Sequence, residues 1–288
     1  MNGLILVDKP QGITSFVAVA VIRRAAGEKH CGHTGTLDPM ATGLLPVLVG
    51  RATKLSSYLL EGDKAYRAEM TFGYATDTLD GTGAVTATGG RIPTEDEIIR
   101  VLAGFRGKLR QVPPMYSAIK KNGVALYKLA RKGLAVDLPP RDVEIYRNDV
   151  VSYRDGVLTL DVECSKGTYI RTLCADIAKA LDTCGCLTAL RRTATTGFTL
   201  DGAIPLEEAE RRLKAGDASF VLPPEQAVPL SHYAPPAFFA TLLSNGCAVE
   251  TRKLPDCPDT PVWVIKDGVP VGIGKRTDDG CFKIETHL

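Results

Sequence analysis

Apolar residues recur along this chain with two periods, and the switches between them mark its elements. A helix is predicted from Thr14 or Ser15 through Phe16 to Ala26, stopped by Gly27. A second runs over about Ala52 to Leu60, with Leu55, Tyr58 and Leu59 on one face and Gly62 beyond it. The period then falls to two. From Lys64 to Tyr74, Tyr66, Ala68, Met70 and Phe72 alternate with Ala65, Arg67, Glu69 and Thr71. That pattern is a half-buried strand with Tyr66 on its inner face. Thr94-Glu95-Asp96-Glu97 reads as a capping box opening a helix through Leu102.

Val143 to Tyr153 and Val157 to Cys164 flank Asp155-Gly156, the turn dipeptide of a hairpin. Ser165-Lys166-Gly167-Thr168 then turns the chain into a helix whose buried stripe is Ile170, Leu173, Cys174, Ile177 and Leu181. Arg171 falls off that stripe near the helix start, where it can project into a cleft. A helix from Pro205 to Ala215 offers three i,i+4 pairs: Glu207–Arg211, Glu208–Arg212 and Glu210–Lys214. Prolines at 223, 224, 235 and 236 suggest a boundary, so residues 1–227 and 228–288 are read as two domains. The second contains a helix ending at Asn245-Gly246 and a hairpin at Asp267-Gly268. A module of about 60 residues has a marginal core, so it is expected to lean on the first.

Composition narrows the class. The chain has 288 residues, 44% hydrophobic and 24% charged, typical of a water-soluble globular protein. No apolar run is long enough to span a bilayer, and the N-terminal stretch lacks the form of a signal peptide. Eight scattered cysteines without a CxxC spacing read as reduced thiols in a cytoplasmic protein, without a metal site. The net charge of +2 conceals a local bias. Between Glu97 and Asp137 lie nine cations, Lys120, Lys121 and Lys128 among them, and no acid. With Tyr116 and Tyr127 interleaved, the segment suits a polyanion with bases, hence nucleic acid.

The chemistry centres on Gly32-His33-Thr34-Gly35-Thr36-Leu37-Asp38-Pro39-Met40-Ala41-Thr42-Gly43. Asp38 there is either a helix N-cap, with Pro39 at the first helical position, or a reactive carboxylate. On local chemistry alone the cap is the better reading. Tyr66, on alternation alone, is either a core aromatic or a site residue.

Four segments in series change that balance: Asp8 to Ser15; Gly32 to Pro46 with Gly50-Arg51-Ala52-Thr53-Lys54 behind it; Gln111 to Lys120; and Ser165 to Arg171. With Lys64-Ala65-Tyr66 and Leu190-Arg191-Arg192-Thr193, they resemble the TruB family of tRNA pseudouridine-55 synthases over residues 3 to 200. The resemblance implies an α+β pseudouridine synthase fold: a mixed, mainly antiparallel central sheet, flanking helices, a basic insertion about 105–135, and a small β-rich C-terminal PUA-like domain.

It also implies isomerisation of a T-loop uridine in tRNA, with no cofactor, no metal, no membrane and no obligate protein partner, by a monomer. Asp38 takes the catalytic role, kept ionised by Arg171. Tyr66 stacks on the flipped base, while Tyr169 and Leu190 form pocket walls. His33 inserts where the uridine left its stack. Lys9 is placed with Lys120, Lys121 and Lys128 among RNA-binding positions, as a structural or backbone-contacting residue. Two rivals remain: a tRNA-folding chaperone with little catalysis, which would need no Asp38–Tyr66–Arg171 trio, and a guide-directed rRNA enzyme, which would carry a longer tail.

Overall fold

The computed structural model describes residues 1–121, 123–134 and 136–288. Asn122 and Ala135, inside the predicted insertion, lie outside the described residues. The chain opens with β1 (Gly3–Lys9), buried along almost its whole length. Thr14 caps α1 (Ser15–Ala25) by accepting the Val17 N–H. After β2 (Cys31–His33) comes the glycine-rich loop, and here the helix-cap reading of Asp38 fails. Pro39 and Met40 form a turn closed by the Ala41 N–H on the Asp38 carbonyl at 3.1 Å, and the chain enters β3 (Thr42–Val49) directly. The unbroken apolar run Leu44–Val49 is the pattern of a strand buried on both faces, and it overrides the local cap signal.

The next predicted helix is split. Gly50–Leu55 is a 3₁₀ helix, pinned by the Thr53 hydroxyl on the Gly50 carbonyl, and only α2 (Ser56–Leu60) is α-helical. β4 (Lys64–Phe72) stops short of Tyr74 because Gly73 takes φ +100°. β5 (Tyr74–Thr76) and β6 (Val85–Thr88) then form a ribbon of their own. α3 (Glu95–Ala103) begins with the expected capping box. β7 (Gly107–Gln111) pairs with the central sheet, so the insertion proper starts after it. It carries β8 (Lys120–Lys121), β9 (Val124–Ala125) and α4 (Leu126–Ala130).

β10 (Arg141–Arg154) and β11 (Val157–Cys164) turn at Asp155 and Gly156, both at positive φ as a type I′ turn demands. α5 (Ile170–Ala180) follows, then β12 (Gly185–Thr195), β13 (Phe198–Thr199), β14 (Ile204–Pro205) and α6 (Leu206–Lys214). On α6 only Glu210–Lys214 pairs as expected. Arg211 turns to Glu208, and Arg212 reaches past the helix end to Asp217, where it also meets Ser219.

Ten strands form one sheet, its main path running β14-β1-β3-β12-β4-β11-β10-β7. β1–β14 and β3–β12 are parallel and the other pairs are antiparallel, which gives the mixed, mainly antiparallel sheet expected. α1, α5 and α6 contribute to the apolar layer against it, with Ile22, Ile177 and Leu213 in the main core. The consequence for function is register. β12 lies between β3 and β4, with Arg192 opposite both Gly43 and Tyr66. The loop carrying Asp38 is thereby brought beside the strand carrying Tyr66.

Beyond α7 (Pro224–Ala227), β15 (His232–Tyr233), α8 (Ala237–Ser244), β16 (Val249–Glu250), β17 (Val262–Lys266), β18 (Val269–Arg276) and β19 (Cys281–His287) build a separate five-stranded sheet. Fully buried Trp263 shares an apolar cluster with Leu4 and Leu48 of the first sheet, and its indole N–H donates to the Val228 carbonyl at 2.8 Å. The small sheet thus leans on the larger one through this shared cluster, while Tyr233, Leu243, Val264 and Phe282 belong to a second, small core of its own. Among the described residues no helix is long and apolar enough to cross a membrane.

Candidate active site

Four pieces of chain meet above β4 and β12. The first turn of α1 anchors the loop: Ser15 Oγ accepts the Leu37 N–H at 2.8 Å and donates to the Leu37 carbonyl at 3.0 Å. Both bonds are buried, and they leave little freedom to the adjacent Asp38. Lys9 supports the same corner from beneath. Its ammonium is fully buried and donates to the Pro10 and Ile13 carbonyls, each at 2.8 Å. This corrects its placement among RNA-binding residues, since a side chain spent on internal carbonyls cannot grip a phosphate. Burial lowers the Lys9 amine to about 8, against the opposing pull of Asp38.

Arg171 arrives from the first turn of α5. Its helix is buried beyond the predicted stripe, because Arg171 and Thr172 are enclosed as well. The guanidinium is surrounded by acceptors. Nε lies 3.0 Å from Asp38 Oδ2, one Nη donates to the Thr78 carbonyl at 3.0 Å, and the other donates to the Tyr116 carbonyl at 2.8 Å. Asp80, which sequence reasoning missed, has one carboxylate oxygen 3.7 Å from an Arg171 Nη. Its other oxygen accepts from the Thr78 hydroxyl and from both the backbone and hydroxyl of Thr82. A guanidinium forked across several fixed acceptors has little rotational choice.

The electrostatics modify the sequence expectation. The Asp38 side chain keeps 36% exposure into the pocket while protein encloses its other sides. Burial raises its carboxyl above the ordinary carboxylate value and Asp80 adds to that; Arg171 and Lys9 oppose the rise. The cation therefore limits a burial penalty without abolishing it.

Asp38, Tyr66, Tyr169, Arg171 and Leu190 all line one cavity of about 280 Å³. Leu190 and Arg192 share the face of β12 that meets Ala68 and Tyr66 of β4. Gln111, at the end of β7, clamps the Tyr169 backbone with two bonds, accepting its N–H at 2.7 Å and donating to its carbonyl at 3.1 Å. Burial raises the Tyr66 and Tyr169 phenols, and Arg192 opposes this at Tyr66. Arg192, also missed, is fully buried under the cavity and donates to the Leu44 and Gly35 carbonyls. Its signals were alternation with Leu190 on a buried strand and its place in the Leu190-Arg191-Arg192-Thr193 segment, neither of which assigned it a role. Asp80 had none beyond the turn chemistry of its Thr-rich loop.

A larger cleft of about 800 Å³ shares Asp38 and Arg171 with this cavity and extends outward past His33 and Arg131. His33 Nδ1 is buried without a hydrogen-bond partner, and burial, with Arg192 nearby, lowers its pKa, favouring the neutral ring. The basic segment is less uniform than its sequence suggests. Arg106 bonds Asn148 and Asp149, so a counter-charge from β10 removes it from the free set. Lys120, Lys121 and Lys128 make no ion pair among the described residues. The Arg131 guanidinium lies 5.6 Å from the Tyr127 ring centroid.

Residues 23–170 match the family profile "TruB family pseudouridylate synthase (N terminal domain)". The chain belongs to that family. TruB-family members are isomerases that convert uridine to pseudouridine, and this chain is an enzyme of that class. A tRNA pseudouridine synthase B of Geobacter sulfurreducens is 42% identical over 278 residues, covering 96% of this chain and 90% of the relative. One from Clostridium tetani is 39% identical over 99% of this chain and 98% of its own. Among solved structures, a Cbf5–Nop10–Gar1 complex is similar with TM-score 0.72 and 25% identity, covering 99% of this chain and 84% of that one. An H/ACA ribonucleoprotein bound to substrate RNA shares the fold at TM-score 0.71 and 24% identity.

Proposed function

We propose that this TruB-family enzyme isomerises uridine 55 in the T loop of tRNA, with Asp38 as the essential carboxylate. One observation carries the reading: an aspartate fixed by Arg171 at the mouth of a cavity floored by Tyr66. The named relatives, tRNA pseudouridine synthases at about 40% identity over nearly full length, support tRNA as the substrate.

A uracil inside a folded loop is stacked, so it must leave the stack at a cost of a few kcal/mol. Neutral His33 in the outer cleft suits the place the base vacates, and the cavity receives the base against Tyr66, with Tyr169 and Leu190 as its walls. The N1–C1′ bond then breaks, the ring turns, and C5 bonds to C1′. C5 loses a proton and N1 gains one, so atoms and electrons balance without a second reactant. A carboxylate can assist by attack at C1′, attack at C6 or removal of a sugar proton. In all three it acts ionised, which is why the Arg171 contact matters.

Lys120, Lys121 and Lys128 supply the phosphate grip in this reading. Residues 228–288 serve as a PUA-like RNA-binding domain beside a catalytic domain of residues 1–227. The test is incubation with an unmodified T-arm hairpin and mapping of pseudouridine by nucleotide. Product at position 55 alone is expected. Tight binding with no product would favour the chaperone reading, and product elsewhere would reassign the substrate.

A further inference from the structure

Phe16 is 72% exposed, more than any other large hydrophobic residue in the described chain. Scattered exposed apolar residues are ordinary. This one differs because it lines the 800 Å³ cleft that runs inward to Asp38 and Arg171, with His33 and Arg131 along the same groove. It also stands on rigid backbone. Ser15, the preceding residue, is locked to Leu37 by its two buried hydrogen bonds, so the Phe16 backbone sits at a fixed offset from the Asp38 loop. The first turn of α1 holds no acidic residue, so that part of the lip does not repel a polyanion.

We propose that Phe16 is a stacking platform for an unpaired RNA base adjacent in the loop to the flipped uridine, an inference that rests on the RNA substrate read above. The chemistry is specific. An exposed ring gains nothing from water, every nucleobase offers a π-face, and stacking on an aromatic is worth roughly 5- to 150-fold in affinity per base. Extruding one base from a loop also unstacks its neighbour, which creates the face that Phe16 receives. A polar residue at this lip could not replace that contact, because it is made without hydrogen bonds.

The experiment uses the full chain and an unmodified T-arm hairpin carrying 2-aminopurine at each nucleotide flanking the target in turn. Affinity, fluorescence quenching and its salt dependence are measured for the parent and for Phe16→Ala, Phe16→Leu and Phe16→Trp. Phe16→Ala is expected to weaken binding by roughly 5- to 150-fold and to relieve the quenching at one flanking position, with an unchanged salt slope. Phe16→Trp should retain both, and Phe16→Leu should resemble Phe16→Ala. Affinity of Phe16→Ala within two-fold of the parent overturns the inference, as does full restoration by Phe16→Leu, which would indicate plain apolar contact. Product formation by the parent on the unlabelled hairpin, run in parallel, separates this failure from failure of the substrate reading.

Discussion

Arg171 and Asp38 meet through one short contact, Nε to Oδ2 at 3.0 Å, although the arginine is almost completely enclosed and the carboxylate is partly open to the cavity. The asymmetry sets their roles. The guanidinium is spent on fixed partners at Asp38, Thr78, Tyr116 and Asp80, while the carboxylate keeps a free side for substrate.

Arg171→Met should therefore cost both activity and stability. It leaves Asp38 and Asp80 without their shared cation; with the Asp38 side chain 36% exposed, solvent screens part of the buried-pair penalty, and the cost is on the order of 1–3 kcal/mol. Denaturant unfolding should show a loss of that order, with turnover down by two orders of magnitude or more. Arg171→Lys should recover charge without the fork and restore little activity. A variant as stable and active as the parent would remove Arg171 from the mechanism.

The pH profile has a defined sign. Burial raises the Asp38 carboxyl, so the ionised, reactive form is lost at a higher pH than for an ordinary aspartate as the solution is acidified. Single-turnover rates should fall on the acid side through a pKa above about 3.9. Arg171 opposes that rise, so weakening its contact in Arg171→Lys should move the acid limb further up. The same raised pKa means the folded state holds its proton more tightly than the unfolded chain. Asp38 thus lowers stability as pH rises through that window, and Asp38→Asn should lessen this dependence. An acid limb that moves down in Arg171→Lys would contradict the electrostatic assignment.

RNA affinity should divide the basic residues into two groups. Neutralising Lys120, Lys121 and Lys128 should weaken hairpin binding and flatten its salt dependence, by about 0.7–0.9 in slope for each phosphate no longer neutralised. Arg106→Ala should leave the slope unchanged, because Asn148 and Asp149 already occupy that guanidinium. Equal effects from both sets would show that the ion pair with Asp149 does not persist in solution.

Gly43 has φ +98°, and a Cβ there would lie 2.3 Å from the Arg192 carbonyl oxygen on β12. Gly43→Ala should cost on the order of 3 kcal/mol or more, because strain adds to a clash with backbone that cannot yield. Gly12 also has positive φ, at +89°, but nothing lies within 4 Å of its would-be Cβ, so Gly12→Ala should cost about 1–3 kcal/mol from strain alone. Thermal melts of the two variants give the comparison directly.

Elements with a strong period or explicit caps were readable in the chain. Thr14 and Thr94 cap the helices expected of them, Asp155-Gly156 turns its hairpin, and Tyr66 lies on the inner face of β4. Local signals failed where long-range packing outweighed them. Asp38-Pro39 looks like a helix start, yet the run after it is claimed by the sheet; Gly50–Leu55 winds into 3₁₀ geometry. Arg212 leaves its intrahelical partner for Asp217. Asp80 and Arg192 stayed hidden because their importance lies in what surrounds them. A carboxylate behind Arg171 and a cation beneath Tyr66 are defined by register between distant strands, and single-residue patterns do not carry register.

The most direct measurement is single-turnover conversion of an unmodified T-arm hairpin by Asp38→Asn, with hairpin affinity determined on the same preparation. An essential carboxylate at this position predicts loss of pseudouridine at position 55 by at least three orders of magnitude, with affinity within a few-fold of the parent. Substantial turnover by this variant, with the hairpin bound normally, would contradict it.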